Sequence, residues 1–488
     1  MRFRMTLAAT ACLAVAPVPA SVFYVDTKGK DTQPGTLASP FASLKKAHDA
    51  VAPGDTVFIR GGTYAISGAG AGPASGITLS KSGLSEAKRI CFWAYQNEVP
   101  VFDFTGWEVS ATTAGSGLTI TGSWLHIKGL EIRNVPEPGT PSNNGVLVVG
   151  AGNDILETMN SHHNPGTGFF VSGGTGGHLL LNCDAHHNYD PLSNKGAGQN
   201  ADGFGVHYQK TGLPTTLRGC RAWWNSDDGF DCINQDQPVV VEKCWNWLHG
   251  YVPGTMTSAA SGNGNGFKIG GYGMPPTKYP DKIPQHTVRN CLAFLNKAAG
   301  FYQNHQLGPS VFYNNTSFNN RSSNFNMLGY DLQSAGDAGM GIWKNNLAFT
   351  GTAISNAAGA DAAFNSWNLA GLTVSAADFE STDTAGVAGP RKADGSLPDV
   401  KFMRLKAGSD LIDKGTGVGG LFAGTAPDLG AFEFGAVIGL KDDLGPAASR
   451  KRGIRGALEG AGMRYFDPSG RILTWKRASA NFPRYLVY

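Results

Sequence analysis

Three short segments of the chain repeat one phrase: NADGF (Asn200 to Phe204), SDDGFD (Ser226 to Asp231) and GNGFK (Gly264 to Lys268). They set Asp202, Asp227, Asp228, Asp231 and Lys268 at matched places. Carboxylates stacked at one place repel each other unless a cation compensates them. Hard oxygen donors at flexible geometry suit Ca2+. Asp also forms turns at coil corners, and a single one would be explained that way. Four at one place on consecutive coils favour a metal site. Lys268 alone would be a solvated surface lysine. Its flanks, GNGF and IGG, give it no bulky cover, and its neighbour in the stack is Asp231, so it reads as a functional base beside the cation.

Such a constellation needs a scaffold that repeats in register, and the sequence supplies one. The segments MNSHHN (Met159 to Asn164), CDAHHN (Cys183 to Asn188), CRAWWN (Cys220 to Asn225), CWNWLH (Cys244 to His249), CLAFLN (Cys291 to Asn296) and NTSFNN (Asn315 to Asn320) align. Small residues recur at the third place, His or aromatic residues at the fourth, and Asn closes every copy except the one ending in His249. A second block follows, with Phe169, Phe204, Phe230, Phe267 and Phe301 spaced by 35, 26, 37 and 34 residues. Strand phrases that keep their form while the loops vary mark a solenoid. Short alternating strands without long amphipathic helices predict an all-β fold, a parallel β-helix. Its coils would lie about 4.8 Å apart. Asp202 would then sit over Asp228 and Asp231 beside Lys268, with the last two facing solvent. The recurrent Asn suits a left-handed turn and can hydrogen-bond from coil to coil. Ordinary turn Asn in a β-sandwich is the plainer reading, but it does not account for recurrence in register.

Around this centre, Val22 to Val25 reads as a first strand. Pro40 to Val51 reads as a short amphipathic helix with Ser39 as N-cap, capping the open end of the stack. Pro53 to Tyr64 reads as turn, strand, turn. Leu405 to Gly415 and Ala426 to Glu433 read as the last strands. Residues 1–20 read as a signal peptide: Arg2 and Arg4, an apolar run from Leu7 to Val18, and small residues before a cut after Ala20. The run is too short to span a bilayer, so the expectation is a secreted monomer with no membrane span. The β-helix is expected over 21–435. Residues 436–488 are either a basic tail or a small module, and GMRYFDPSGRIL (Gly462 to Leu473) resembles the C-terminal sorting or anchoring modules of some bacterial secreted enzymes.

Composition limits the choices further. Gly is 67 of 488 residues and charged residues are 16%, which fits many turns and few exposed helices. Residues 450–488 hold nine Lys or Arg against two acids, so under a formal charge of +3 the first 449 residues carry −4. The body is not a nucleic-acid binder. Seven cysteines include Cys12 in the leader; the other six show no CxxC spacing. Cys183, Cys220, Cys244 and Cys291 recur at one place and read as a stack of small buried side chains rather than disulfides.

NADGF, NSDDGFDC and GNGFKIGG resemble segments of secreted pectate lyases of polysaccharide lyase family nine. The likeness runs in style from Val22 to Glu433 and is specific between Asn182 and Asn320. It implies a right-handed parallel β-helix with an asparagine ladder. It also implies Ca2+ on Asp202, Asp227, Asp228 and Asp231, with Lys268 as Brønsted base in β-elimination of de-esterified polygalacturonate, and an alkaline optimum. His249 departs from the ladder, so its turn is expected to differ. Two other readings stand beside this one. A polygalacturonase-type hydrolase could use Asp202, Asp228 and Asp231 without metal. A non-catalytic carbohydrate-binding or adhesin β-helix could use Tyr302, Trp245 and His207 as sugar platforms. Lys195, Lys210, Lys278 and Arg289 are candidate sugar contacts by charge alone.

Overall fold

The computed structural model describes residues 20–68, 75–272 and 279–435, with 464–466 and 472–473. The signal-peptide reading of residues 1–20 therefore lies, but for Ala20, outside the described residues. Parallel strands wind into coils that stack as three sheets, one of twelve strands and two of ten. Each coil of the central region gives one strand to each sheet. Leu179–Leu181 lies in the twelve-stranded sheet, Asp184–His186 in a second sheet and Phe204–His207 in the third. The next coil repeats the path through Thr215–Arg218, Arg221–Trp223 and Phe230–Cys232. This is the parallel β-helix that the repeat implied.

The repeated phrase has a physical reason at each letter. Phe169, Phe204, Phe230, Phe267, Phe301 and Phe325 point inward and stack face to face with centroids 4.7–5.1 Å apart, all buried. A Gly precedes the first five of these and lies against the next coil. A Cβ on Gly203 would sit 2.6 Å from the Gly229 carbonyl and 2.9 Å from Asn225 Nδ2, so only Gly fits. The residue after Phe points outward.

The asparagine ladder is present and fully buried. Asn164 Nδ2 donates to Asn188 Oδ1 at 3.2 Å, and Asn188 Nδ2 to Asn225 Oδ1 at 2.9 Å. Farther along, Asn296 Nδ2 donates to Asn320 Oδ1 at 2.9 Å. His249 keeps its place in this ladder, contrary to expectation: its Nδ1 accepts from Asn225 N, and its own N–H donates to Asn296 Oδ1. Burial lowers the imidazole to about 3, so it stays neutral and can accept at Nδ1. The left-handed backbone is also placed differently. It falls on the residue before each ladder position, His163, His187, Trp224, Leu248, Leu295 and Asn319, with φ of 50–60°. The ladder Asn is thus kept for its amide and not for its backbone. Asn225→Ala removes the acceptor of Asn188 N and Nδ2 and the donor to Ala185 O. Leaving those groups unpaired should cost about 1–3 kcal/mol, read as a lower denaturation midpoint; an unchanged midpoint would contradict a buried ladder there.

The cysteine column behaves as read. All six described cysteines are free. Cys291 N donates to Asn315 Oδ1, where the column becomes a second ladder through Asn346 and Asn365.

Two local readings need correction. The capping helix spans Leu44–Ala50, with Ser43 as N-cap accepting from Lys46 N. Phe41 is bridged to Val25 as extended chain, which removes Pro40 to Ser43 from the helix. Leu405 to Gly415 and Ala426 to Glu433 are not strands. They lie over the outer face of the second sheet, where Leu405, Leu411 and Leu429 join Trp245, Trp247, Leu292 and Phe294 in a second core. That outer face is too apolar to be left to water. Trp245 is 1% exposed and is therefore not a sugar platform. Arg464–Phe466 pairs antiparallel with Gly420–Phe422 on one side and with Ile472–Leu473 on the other, matching the two strands read in that segment.

Candidate active site

The site lies where the second sheet turns into the third. Asp202 ends the loop that follows Asn188, Asp227 and Asp228 sit in the next corner, and Asp231 and Lys268 pair in register on adjacent strands. Asn144, Thr167, Asp202, Asp228, Asn265 and Ala299 form a column at this corner. Asn144, Asp202, Asp228 and Asn265 each accept a backbone N–H of the following coil, whereas the Thr167 hydroxyl donates to the Asn200 carbonyl. Thr167 N donates to Asn144 Oδ1 at 3.0 Å, Asp228 N to Asp202 Oδ1 at 3.0 Å and Asn265 N to Asp228 Oδ1 at 2.7 Å. An Asp in this column keeps one oxygen for the ladder and releases the other outward. Asp228 Oδ2 is such an oxygen, buried and facing the Lys268 ammonium, while Asp231 Oδ1 is buried with no hydrogen-bond partner.

Asp202, Asp227 and Asp228 offer carboxylate oxygens within 4.8 Å of one another. Asp227 is held by backbone donors on both sides, Asn200 N at 2.9 Å and Asn263 N at 2.6 Å. Asp231 stands at the margin of this group. Its Oδ2 is 2.9 Å from Lys268 Nζ, which is also 3.1 Å from Asp228 Oδ2. Asp231 and Lys268 do point out of the coil, but they are not in open solvent: Lys268 is 14% exposed and Asp231 7%. His207 lies 3.9 Å from Asp231 on one side, and Tyr302 neighbours Lys268 in register on the other.

Burial and mutual repulsion raise the acids. Burial, then Asp227, Asp231 and Asp228, pushes Asp202 well above the carboxylate range. Burial and Asp228 push Asp227 up to about 7. Burial also raises Asp228. Burial acts against the Lys268 ammonium, but Asp231, Asp228, Asp202 and Asp227 together outweigh it and hold the group well above its usual value. Burial lowers His207. A cluster that cannot ionise fully by itself, with hard oxygens and an orphaned one among them, fits a multivalent oxygen-seeking cation.

The charge-only sugar candidates do not gather here. Arg289 belongs to the twelve-stranded sheet and holds Glu242 at 2.8 Å. Lys210 pairs with Asp236, Lys195 stands on the loop before Asp202, and Lys278 lies outside the described residues. Sequence reasoning missed the supporting amides Asn200, Asn263 and Asn265. Asn265 was visible as the next member of the column; the other two act through backbone N–H groups and carry no signal.

Fold and site define a right-handed parallel β-helix protein with an acidic centre at one sheet corner. Within that class the chain belongs to the Pel9A-like family: its right handed beta helix region matches residues 23–346. Pectate lyase L of Dickeya dadantii (strain 3937) is 36% identical over 414 residues, covering 84% of this chain and 90% of the relative. Pectate lyase PEL9 of Emericella nidulans is 30% identical over 424 residues, covering 81% and 94%. Among solved structures, a rhamnogalacturonan lyase superposes with a TM-score of 0.73 at 34% identity, covering 80% of this chain and 97% of the other. Pectate lyase Pel9A gives 0.70 at 33%, covering 85% and 97%.

Proposed function

We propose that this protein is a pectate lyase that cleaves polygalacturonate by β-elimination, with Lys268 as base and Asp202, Asp227, Asp228 and Asp231 as calcium ligands. The relatives named above carry the reaction class. The observation that carries the residue roles is Lys268 Nζ poised between Asp228 and Asp231, at the edge of a carboxylate group that needs a cation.

Galacturonate has a carboxylate beside C5 and a glycosidic oxygen on C4. Calcium on the four aspartates would withdraw electrons through the substrate carboxylate and stabilise charge developing at C5. Lys268 takes the C5 proton, the C–H electrons become the C4–C5 double bond, and the C4–O bond breaks. The departing oxygen takes a proton from solvent. Lys268 must be neutral to act. Uncompensated carboxylates hold it protonated, so the base works only when their charge is met. A hydrolase would need free carboxyl groups on either side of the bond, whereas Asp228 and Asp231 are both tied to Lys268.

The acids also set a pH dependence. Asp227 titrates at about 7 in the fold, against about 3.9 for an unfolded Asp. The folded state therefore binds more protons than the unfolded state between those values, and metal-free stability falls as pH rises through this window. Asp202 and Asp228 shift the same way. Lys268 is raised from 10.5, so its contribution is fully present below that value and does not change between pH 5 and 8. Thermal melts with EDTA or with Ca2+ should therefore show a larger gain from Ca2+ at pH 8 than at pH 5. An equal gain at both would contradict ligation by these acids.

The rhamnogalacturonan lyase neighbour makes a second polymer worth assaying, since it too offers a uronate C5 proton. Faster turnover of polygalacturonate is expected; faster turnover of rhamnogalacturonan would move the substrate and keep the chemistry. The protein is proposed to act outside the cell. Among the described residues no helix is long and apolar enough to cross a membrane.

A further inference from the structure

The two coils before Asp202 carry four histidines in register, His162 and His163 on one, His186 and His187 on the next. The His162 and His186 rings stack 4.6 Å apart at 5°, and His163 and His187 stack 5.2 Å apart at 9°. Within each coil the two rings stand nearly perpendicular. Their edges meet nitrogen to nitrogen: His162 Nδ1 is 2.6 Å from His163 Nδ1, and His186 Nδ1 is 2.8 Å from His187 Nδ1. His162, His163 and His186 each offer a ring nitrogen within 4.8 Å of the others.

Stacking explains only part of this. The outer column runs on through Trp223, Trp247 and Phe294, so any flat ring would serve there. It does not account for the paired Nδ1 atoms of each coil, which share a hydrogen-bonding proton when no metal is bound. Glu131 supplies a second observation. Its Oε1 lies 3.2 Å from His162 Nε2, where a carboxylate accepts the Nε2 proton and leaves Nδ1 of the neutral ring as a lone pair. A carboxylate behind an imidazole is how metal-ligating histidines are oriented. Imidazole nitrogens select Zn2+, Ni2+ or Cu2+ over Ca2+.

We propose that His162, His163 and His186 form a second metal site, distinct from the carboxylate corner, for a late first-row divalent cation. Glu131 orients His162, and His187 closes the margin. His163 is exposed and gives the ion entry. The site clamps two successive corners. The second of these ends at Asn188, whose carbonyl accepts Ser226 N at 2.9 Å and from which the loop to Asp202 departs. A cation there would hold the base of that loop.

The test is calorimetric titration of the full chain with Zn2+ at neutral pH, with Ca2+ saturating so that the carboxylates are engaged. Wild type should bind about one equivalent through these rings. His163→Asn with His186→Phe should lose that equivalent, or weaken it by at least about tenfold. His186→Phe keeps a ring in the stack. His163→Asn places Asn at a corner where Asn319 already holds φ 50° in a later coil. The rise in melting temperature with Ca2+ should be unchanged, which shows that the variant is folded. If the double variant does not fold, His163→Asn alone carries the test. No Zn2+ binding by wild type, or binding that the substitutions leave untouched, would overturn the site and reduce the histidines to a Glu131-paired stack.

Discussion

Lys268→Ala should lower turnover of polygalacturonate by about 10²–10⁴, the usual cost of losing a general base. The substitution removes the proton acceptor and leaves all four carboxylates in place. Asp202, Asp227 and Asp228 keep their backbone donors, so the corner should survive. Calcium affinity should hold or rise, because the ammonium now 3.1 Å from Asp228 and 2.9 Å from Asp231 competes with the ion. That split separates a base from a ligand: the rate collapses while the metal still binds. Lys268→Arg should not rescue, since guanidinium stays protonated at any usable pH. A Lys268→Ala enzyme that keeps more than about a tenth of the rate at saturating Ca2+ would assign the base elsewhere.

Asp228→Asn is expected to weaken calcium by about a hundredfold or more, with the fold intact. The amide can keep its oxygen where Asp228 Oδ1 now accepts from Asn265 N and Nδ2. Its NH2 then replaces Oδ2, the buried oxygen 3.1 Å from Lys268 Nζ, and meets that ammonium donor to donor. One ligand charge and its contact with Lys268 are lost, while the ladder acceptor stays. Asp228→Ala is the useful contrast: it also strips the ladder acceptor from Asn265 N, so it should lower the melting temperature as well as the affinity. Unchanged affinity in Asp228→Asn, measured by calcium titration of the metal-free protein, would remove Asp228 from the ligand set.

The sequence carried the fold because each coil must satisfy the same three demands: an inward Phe, a Gly against the ladder and a buried amide. Those demands fixed the register of Asp202 over Asp228 and of Asp231 beside Lys268 before any coordinates. It misjudged what depends on neighbours far along the chain. Trp245 reads as outward from its strand, and it is, but residues 400 and beyond cover it. Asp231 and Lys268 point outward yet are drawn in by charge and enclosed by adjacent coils. The left-handed residue at each corner was assigned to the ladder Asn by propensity. Backbone geometry gives it to the preceding residue, because the amide must face inward. His249 was expected to break the ladder; a neutral imidazole accepts at Nδ1 much as an amide oxygen does.

The most direct test of the account is the product. Polygalacturonate incubated with the enzyme and Ca2+ should yield fragments carrying the C4–C5 double bond, followed by ultraviolet absorbance alongside a reducing-end assay. The two signals should rise together, both should stop with EDTA, and both should return when Ca2+ is restored. Reducing ends without absorbance would mean hydrolysis, and full turnover in EDTA would mean that the carboxylate corner does not work through a metal.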